Sequence, residues 1–452
     1  MSRVVISPPT FLDVVLQQWA AILEAHEKLA PQDCYLHWEE LKQRAKPEGI
    51  SHEVWWAALK LARTAKLRPI ALFDREKRPF KFNIPDGLIE ILHRLDHGGS
   101  ETEIRPEEFD RFYASALLEE SMASARLAGA TTNYAVAKEM LRNGQRPRER
   151  SEQMILNQHL ALQRVWNWQD RELSPERIFE LHRCITAGTL DKPETAGRFR
   201  QDGENSPIID AAGGVQYEPP PAGELPRRME LMCAFANGQA PDFFLHPIIR
   251  AIVLHFWLAY DRPFCDGNGR IARTLFRWAV LRQNYPRLGC ISISDVLLRA
   301  PARYARVFLH TETDDNDLTY FILHQAEVIR AAERALHDRV VRKTNELQEA
   351  KKKLRGLAEL NPRQQAVIEH ALRKPDTRYL IAGHQRSHGV THQTARDDLF
   401  DLTQRELLVA GKEGRRYLFL APQDLPRRLQ SIAGPRRTKP ASMSDELPTA
   451  LL

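Results

Sequence analysis

From residue 106 to residue 335 the apolar residues return every three or four positions in one run after another: FDRFYASALLEESMASARLAGA, ERSEQMILNQHLALQRVWNW, SPERIFELHRCITAGTL and HPIIRAIVLHFWLAY. That period follows the turn of an α-helix and not the alternation of a strand, so the middle of the chain is expected to be a set of packed amphipathic helices. Ser174-Pro175-Glu176 reads as a helix start, with Ser at the N-cap and Pro at the first helical position. One stretch breaks the pattern. In Asn205 to Pro221 two short β-prone segments flank Asp210-Ala211-Ala212-Gly213-Gly214, and glycines that accept positive φ in the turn predict a β-hairpin.

The flanks read differently. Helical spacing from about Val14 to Leu61 (Val14, Val15, Trp19, Ile22, Leu23, then Trp55, Ala58, Leu59) predicts a helical N-terminal domain over 1–105, with no clustered chemistry. A long helix from about Leu318 to Leu357 closes the 106–335 core. Its charge-laden end predicts a solvated helical linker over 336–360 and leaves a homodimer seam open. In 361–425 helices are expected from Asn361, from about Thr377–Ile381 and over Thr391–Glu406, followed by strand, Gly411–Gly414 turn and strand up to Leu420. That is the order of a winged helix-turn-helix. Residues 426–452, rich in Pro, Ser and Arg, predict a basic, disordered tail. The fold class is therefore mainly α: a helical core with a β-hairpin, a helical N-terminal domain and a C-terminal winged helix-turn-helix.

Composition excludes several classes. With 43% apolar and 27% charged residues in 452, most of the chain should fold. Cys34, Cys184, Cys233, Cys265 and Cys290 are far apart and form no CxxC pair, which argues against a disulfide framework or a cysteine zinc site and fits a reducing cytoplasm. The N-terminus lacks a basic segment leading into an apolar run, so secretion is not expected. The most apolar stretch, 251–260, falls far short of the roughly 20 residues of a membrane span. A net charge of +6 and a pI near 9.0 permit nucleic-acid contact without demanding it.

The chemistry is concentrated in Pro263-Phe264-Cys265-Asp266-Gly267-Asn268-Gly269-Arg270-Ile271-Ala272-Arg273, between two apolar helices. Two glycines around an asparagine at a helix start turn several backbone N–H groups toward one spot, where the helix dipole adds positive potential. Arg270 and Arg273, three residues apart, share a helix face from which guanidinium groups can grip a polyphosphate. Asp266 offers the hard oxygen that a nucleotide-bound Mg²⁺ needs.

These residues in this order resemble the signature of the Fic (Fido) family: His-Pro-Phe, a variable residue, Asp or Glu, Gly-Asn-Gly-Arg, and a second Arg three residues later. The resemblance extends over about 106–335, and a trailing winged helix is also found in Fic proteins. It implies a protein that binds ATP with Mg²⁺ and transfers AMP to a Ser, Thr or Tyr hydroxyl of a target protein, releasing pyrophosphate. By that resemblance Asp266 would hold the metal, Asn268 and the amides of Gly267 and Gly269 would cradle the phosphates, and Arg270 and Arg273 would bind the β- and γ-phosphates. Phe264 would pack under the loop. The 205–221 hairpin, entered through Gly197-Arg198-Phe199-Arg200, would be the flap on which a target segment docks as an added strand.

Two positions depart from the family pattern. Where the family has its catalytic histidine this chain has Arg262, and a guanidinium with a pKa above about 12 cannot accept the hydroxyl proton. His255, seven residues upstream, reads as a structural helix residue. Many Fic proteins also carry an inhibitory helix with Ser or Thr, three residues, Glu, then Gly or Asn, whose Glu pairs with the second motif arginine. Ser124 and Gly129 keep that register, but Ala128 takes the glutamate position. The expected outcome is an AMP-transfer fold impaired at its general base. The alternative is a nucleotide-binding pseudoenzyme that regulates DNA through 361–425, where Thr391, His392, Gln393 and Arg396 could face a major groove and Arg415 and Arg416 could reach phosphates. That segment holds ten Lys/Arg against eight Asp/Glu, a weak bias for a DNA binder.

Overall fold

Helices carry the fold, as the apolar period requires. The computed structural model describes residues 5–29, 35–97, 106–204, 208–209, 215–357, 359–375, 377–413 and 416–431. The chain divides into two compact units, 1–336 and 337–452, so the expected segments 1–105 and 106–335 fall within the first and 361–425 within the second.

At the centre of the first unit lies the helix Pro247–Asp261, capped by the His246 side chain on the Ile248 amide, with Pro at its first position. Apart from Arg250, His255 and Asp261 it is apolar all round, and from Ile248 to Leu258 every residue is buried, which a helix of this composition needs. A short loop leads into the helix Asn268–Arg282, which packs on it. The helices Pro106–Leu127, Arg150–Trp166 and Pro175–Thr186 pack on Asn268–Arg282, and the helix Leu225–Ala236 packs on Pro247–Asp261. Ser174 caps the last of them on the Arg177 amide, with Pro175 in the first turn, as its sequence predicts.

The N-terminal region contains helices, among them Phe11–Leu29, His52–Thr64 and Asp86–Asp96, but also a hairpin that helical spacing does not reveal. Strands Arg68–Phe73 and Pro79–Phe82 pair antiparallel, burying Ile70, Leu72, Phe80 and Phe82. The alternation is legible only over these short runs, and Asp74, accepting the Arg78 amide at 2.7 Å, closes the turn. Lys81 then exchanges backbone hydrogen bonds with Asn316 and Leu318, which fastens the hairpin behind the helix Pro301–Thr313.

The helix Thr319–Gly356 runs into the second unit, where helices Pro362–Arg373, Ile381–His388 and His392–Gln404 precede antiparallel strands Val409–Glu413 and Arg416–Leu420. Gly411 lies inside a strand, paired with Leu418, so the strand outlasts the expected turn start. Gly414 and Arg415 are outside the described residues. Buried Asp398 organises this unit by accepting from Asn361 Nδ2 (2.7 Å) and Arg363 Nε (2.7 Å) and meeting His384 Nε2 (3.1 Å). These contacts outweigh its burial and hold its carboxyl below the usual range. The expected tail is in part ordered. Leu425–Ser431 is a helix that buries Leu425 and Leu429, because two leucines four residues apart can cover the core; residues 432–452 are outside the described residues. No helix among the described residues is long and apolar enough to cross a membrane.

Candidate functional site

The loop between the two central helices is shaped by its own residues. Arg262 ends the first helix in the left-handed conformation (φ 43°, ψ 58°), its amide donating to the Leu258 carbonyl. Its carbonyl accepts from Arg200 Nε at 2.8 Å, and the Arg200 amide donates to the Pro263 carbonyl at 2.9 Å. Arg200, 2% exposed, also reaches the Pro220 carbonyl and so links the loop to the segment that leaves the hairpin. Gly267 starts the second helix at φ 83°, where a Cβ would sit 3.1 Å from Thr186 Cγ2; glycine is needed on both counts. The Asn268 amide spans the loop: Oδ1 accepts the Phe264 amide at 3.0 Å and Nδ2 donates to the Phe264 carbonyl at 2.7 Å. In this conformation Asn268 is a brace across the turn. Phe264 is fully buried and stacks on His182, with ring centres 4.0 Å apart.

The two arginines of the motif part company. Arg270 lies under the loop, 1% exposed, donating from Nη1 to the Ile185 carbonyl (3.0 Å) and from Nη2 to Asp266 Oδ2 (3.1 Å), while its Nε is buried without a partner. Arg273 turns toward the helix Pro106–Leu127, donating from Nε to Ser124 Oγ and from Nη2 to the Ser124 carbonyl, both at 2.9 Å. Its Nη1 lies 3.1 Å from where a Cβ on Gly269 would be, so the second glycine admits that guanidinium. Ala128 is exposed on the turn that ends the same helix, and Gly129 follows at φ 96°. The Asp266 carboxylate is half-exposed, accepting its neighbour Gly267's amide at 2.6 Å. A carboxylate at the surface beside the loop fits a Mg²⁺ that takes most of its other ligands from phosphate and water.

Arg262, Asn268, Gly269 and Arg273 line one cavity of about 200 Å³, together with Tyr217, Tyr260, Tyr304 and Glu312. Arg270, Asp266 and Gly267 are not on it. The Nε of Arg262 is buried without a partner, and burial lowers its pKa from the ordinary value while Tyr217 and Asp266 pull it back up. Glu312 is the residue that sequence reading missed. Tyr304, Phe308 and Glu312 follow each other at four-residue steps on one face of Pro301–Thr313, and a carboxyl on such an apolar face is the signal that could have found it. Burial raises its pKa to about 8.

Neither nearby histidine supplies a base to the cavity. His182 Nδ1 accepts the Gly197 amide at 2.7 Å, so Nε2 carries the proton and donates to the Asp266 carbonyl at 3.1 Å; burial pushes its pKa down to about 4. His255 is fully buried, with Nε2 2.8 Å from the Tyr304 hydroxyl, and burial aided by Arg273 presses it down to about 3. It does not line the cavity, in keeping with a structural role. The hairpin consists of strands Ile208–Ile209 and Val215–Tyr217, paired antiparallel, and the Tyr217 hydroxyl donates to the Tyr260 carbonyl. The expected turn, 210–214, is outside the described residues.

Elsewhere in the first unit His37, Glu39 and His310 gather with potential ligand atoms within 4.8 Å of one another. The two rings stack 4.0 Å apart at 9°, so no ion can lie in both ring planes, and His37 already accepts the Glu39 amide and meets the Thr313 hydroxyl. This is a packing contact, not a metal centre. In the second unit Thr391 caps its helix on the Thr394 amide, Gln393 pairs with Asp397, and Arg396 lies over the Phe400 ring; His392, Gln393, Arg396, Lys412 and Arg416 are exposed.

Comparison with known proteins matches residues 172–280 to the Fic/DOC family. The protein adenylyltransferase Fic of Nematostella vectensis is 27% identical over 212 residues, 47% of this chain and 44% of that protein. Its namesake in Drosophila grimshawi is 33% identical over 118 residues, 26% of this chain and 22% of the other. The matched region thus spans less than half the length of these curated relatives. Among solved structures, a Fic family protein from Desulfovibrio desulfuricans G20 has a TM-score of 0.49 at 16% identity, covering 75% of this chain and 95% of that one.

Proposed function

We infer, from a chain whose residues 172–280 are a Fic domain, that the cavity at the motif helix binds ATP and that the fold's chemistry is transfer of AMP to a protein hydroxyl, impaired here by Arg262. The observation that carries this reading is that two arginines, Arg262 and Arg273, line one cavity together with Gly269 in the first turn of a helix. Positive charge and a helix start facing one space suit a polyphosphate. Asp266 would hold the Mg²⁺, which when bound neutralises phosphate charge and polarises the phosphorus–oxygen bonds. Attack of the hydroxyl oxygen on the α-phosphorus forms the new ester and releases pyrophosphate, and the hydroxyl proton must go to a base. Arg262 cannot take it. The target segment, carrying a Ser, Thr or Tyr, would lie along the 205–221 hairpin as an added strand.

Calorimetry with Mg-ATP tests the binding. Arg273→Ala should weaken it by about 1.5–3 kcal/mol, the range for a hydrogen bond to a charged group, or roughly 10- to 150-fold. No heat from the unaltered protein at millimolar ATP would reject the reading.

A second reading concerns residues 361–431, which we propose as a winged helix that contacts DNA. Among the described residues no ion pair engages Arg386, Arg396, Lys412 or Arg416, and all four are exposed, which favours phosphate contact. The opposing observation is that Arg363, Arg373 and Arg405 are spent on Asp398, Glu369 and Asp401. With four such cations, affinity for a duplex should fall steeply between 50 and 200 mM salt, with a log–log slope of about −3 to −4. A gel shift that shows no retardation at low salt would leave protein docking as this segment's role.

A further inference from the structure

The helix Pro247–Asp261 stops one residue short of 262, and the last carbonyls of a helix find no partner within it. Here the hairpin and the stretch that leads into it supply the partners. The Tyr217 hydroxyl donates to the Tyr260 carbonyl, and Arg200 donates from Nη2 to the Asp261 carbonyl (3.4 Å) and from Nε to that of Arg262. The Asp261 carboxylate, 4% exposed, is held from the other side of the hairpin. Its Oδ1 accepts Arg228 Nε at 2.9 Å, with Nη2 at 2.8 Å, and its Oδ2 accepts Trp257 Nε1 at 3.1 Å. Arg228 is buried on the helix Leu225–Ala236, which follows the hairpin, and its Nη2 also donates to the carbonyl of Phe73, the last residue of the strand Arg68–Phe73. One guanidinium thus joins three segments: the helix end before residue 262, the helix that leaves the 205–221 hairpin, and the N-terminal hairpin.

Stability alone does not account for such a pair. A buried ion pair is often no more stabilising than apolar side chains of the same volume, because both charges lose their water. Burial raises the Asp261 carboxyl above its ordinary value, against the pull of Arg228 and Trp257. What the pair supplies is direction, since a planar guanidinium bonds its partners at fixed angles. Resting on the AMP-transfer reading, with the target strand on the hairpin, we propose that Arg228 and Asp261 are positioning residues: they hold the helix end that presents residue 262 in register with the hairpin that presents the target hydroxyl, and they make the strand Arg68–Phe73 part of that support. Neither residue lines the cavity or takes part in bond making. Attack needs the hydroxyl oxygen about 3–3.5 Å from the phosphorus and in line with the leaving pyrophosphate, and a misplacement of about 1 Å costs on the order of 10²-fold. The hydroxyl arrives with the hairpin and the position that must take its proton lies at the helix end, so the link between the two governs the rate. ATP binding rests instead on the start of the motif helix, beyond the loop that Asn268 braces through Phe264.

Arg228→Lys tests this. Lysine keeps Asp261 paired, so the fold survives, but one ammonium cannot reproduce a fork that meets Asp261 and Phe73 together. In the full chain, hydrogen exchange at the amides of 215–217 should quicken about tenfold, the low end for losing a hydrogen bond to a charged group, with the melting temperature unchanged. Turnover is read in an Arg262→His background, which returns a base to the site. There Arg228→Lys should cut self-labelling from ATP labelled in the α-phosphate by about 10- to 100-fold at saturating ATP, with KM for ATP unchanged. Exchange at 215–217 no faster than in the unaltered chain would overturn the proposal. So would a loss of labelling that merely follows a lowered melting temperature, or a raised KM for ATP with the saturated rate intact. Faster exchange beside an Arg262→His protein that binds ATP and labels nothing would uphold the positioning link and lay the failure on the transfer reading.

Discussion

An Arg262→His protein should modify protein hydroxyls with AMP at a rate on the order of 10²- to 10⁴-fold above the unaltered chain, the usual worth of a positioned general base. Three features of the site favour so large a gain from one side chain. The backbone at 262 is fixed from outside, because its carbonyl is held by Arg200 and its amide by Leu258, so the new side chain inherits a set position. The left-handed conformation there (φ 43°) costs histidine less than most residues, since His, with Asn and Asp, is enriched in that region. The present guanidinium already lines the cavity with Gly269 and Arg273, and its Nε is buried without a partner, so removing it breaks no hydrogen bond at that nitrogen. An imidazole with an ordinary pKa near 6.5 should make labelling rise with pH through that value. ATP labelled in the α-phosphate, followed by autoradiography, measures it. Strong labelling by the unaltered chain would defeat the general-base argument, and an inert Arg262→His protein that still binds ATP would mean that another group limits the reaction.

What could be read from the sequence, and what could not, follows from how local each feature is. Gly267 announces its positive φ by being glycine, and Ser174-Pro175 announces a helix start, because both depend on a few neighbouring residues. The arginines show the limit. Helical spacing puts Arg270 and Arg273 on adjoining positions, but their partners, the Ile185 carbonyl and Ser124, come from helices that no spacing rule relates to the motif. Asn268 is similar: an asparagine at a helix start suggests a ligand contact, whereas its bonds to Phe264 depend on how the loop folds back. The hairpin 68–82 is hidden because its alternation lasts only a few residues a side, and Glu312 because an acidic residue in His310-Thr311-Glu312-Thr313-Asp314, two places from another acid, looks like one of several solvated charges. Only the packing of Pro301–Thr313 on the cavity separates it from Asp314, which is taken up by Lys60 and Tyr320.

Adding Ala128→Glu to the Arg262→His protein should suppress labelling about 10- to 100-fold, and the contact between Arg273 and Ser124 explains why that arginine is the point of control. Arg273 gives Nε and Nη2 to Ser124, which leaves Nη1, beside Gly269, as the edge turned to the cavity. Residue 128 comes four positions, about one helical turn, after Ser124, on the turn that ends the same helix. A glutamate side chain there is long enough to swing back over that turn to the guanidinium that Ser124 holds. A carboxylate on Nη1 would take the place of a phosphate oxygen, at a gain of about 1.5–3 kcal/mol for a charged hydrogen bond, which sets the size of the suppression. Ala128 as it stands supplies no such competitor, so the single Arg262→His protein should run without restraint. Ala128→Gln separates charge from bulk: in the Arg262→His background it has the size of glutamate without its charge, and labelling should stay high. Equal suppression by Gln and Glu would mean that bulk alone blocks the site, and unchanged labelling with Glu would put residue 128 beyond reach of Arg273. If only the carboxylate suppresses, competition for Arg273 is the mechanism, and its reversal by raised ATP concentration should follow, since phosphate and carboxylate then contend for one guanidinium edge.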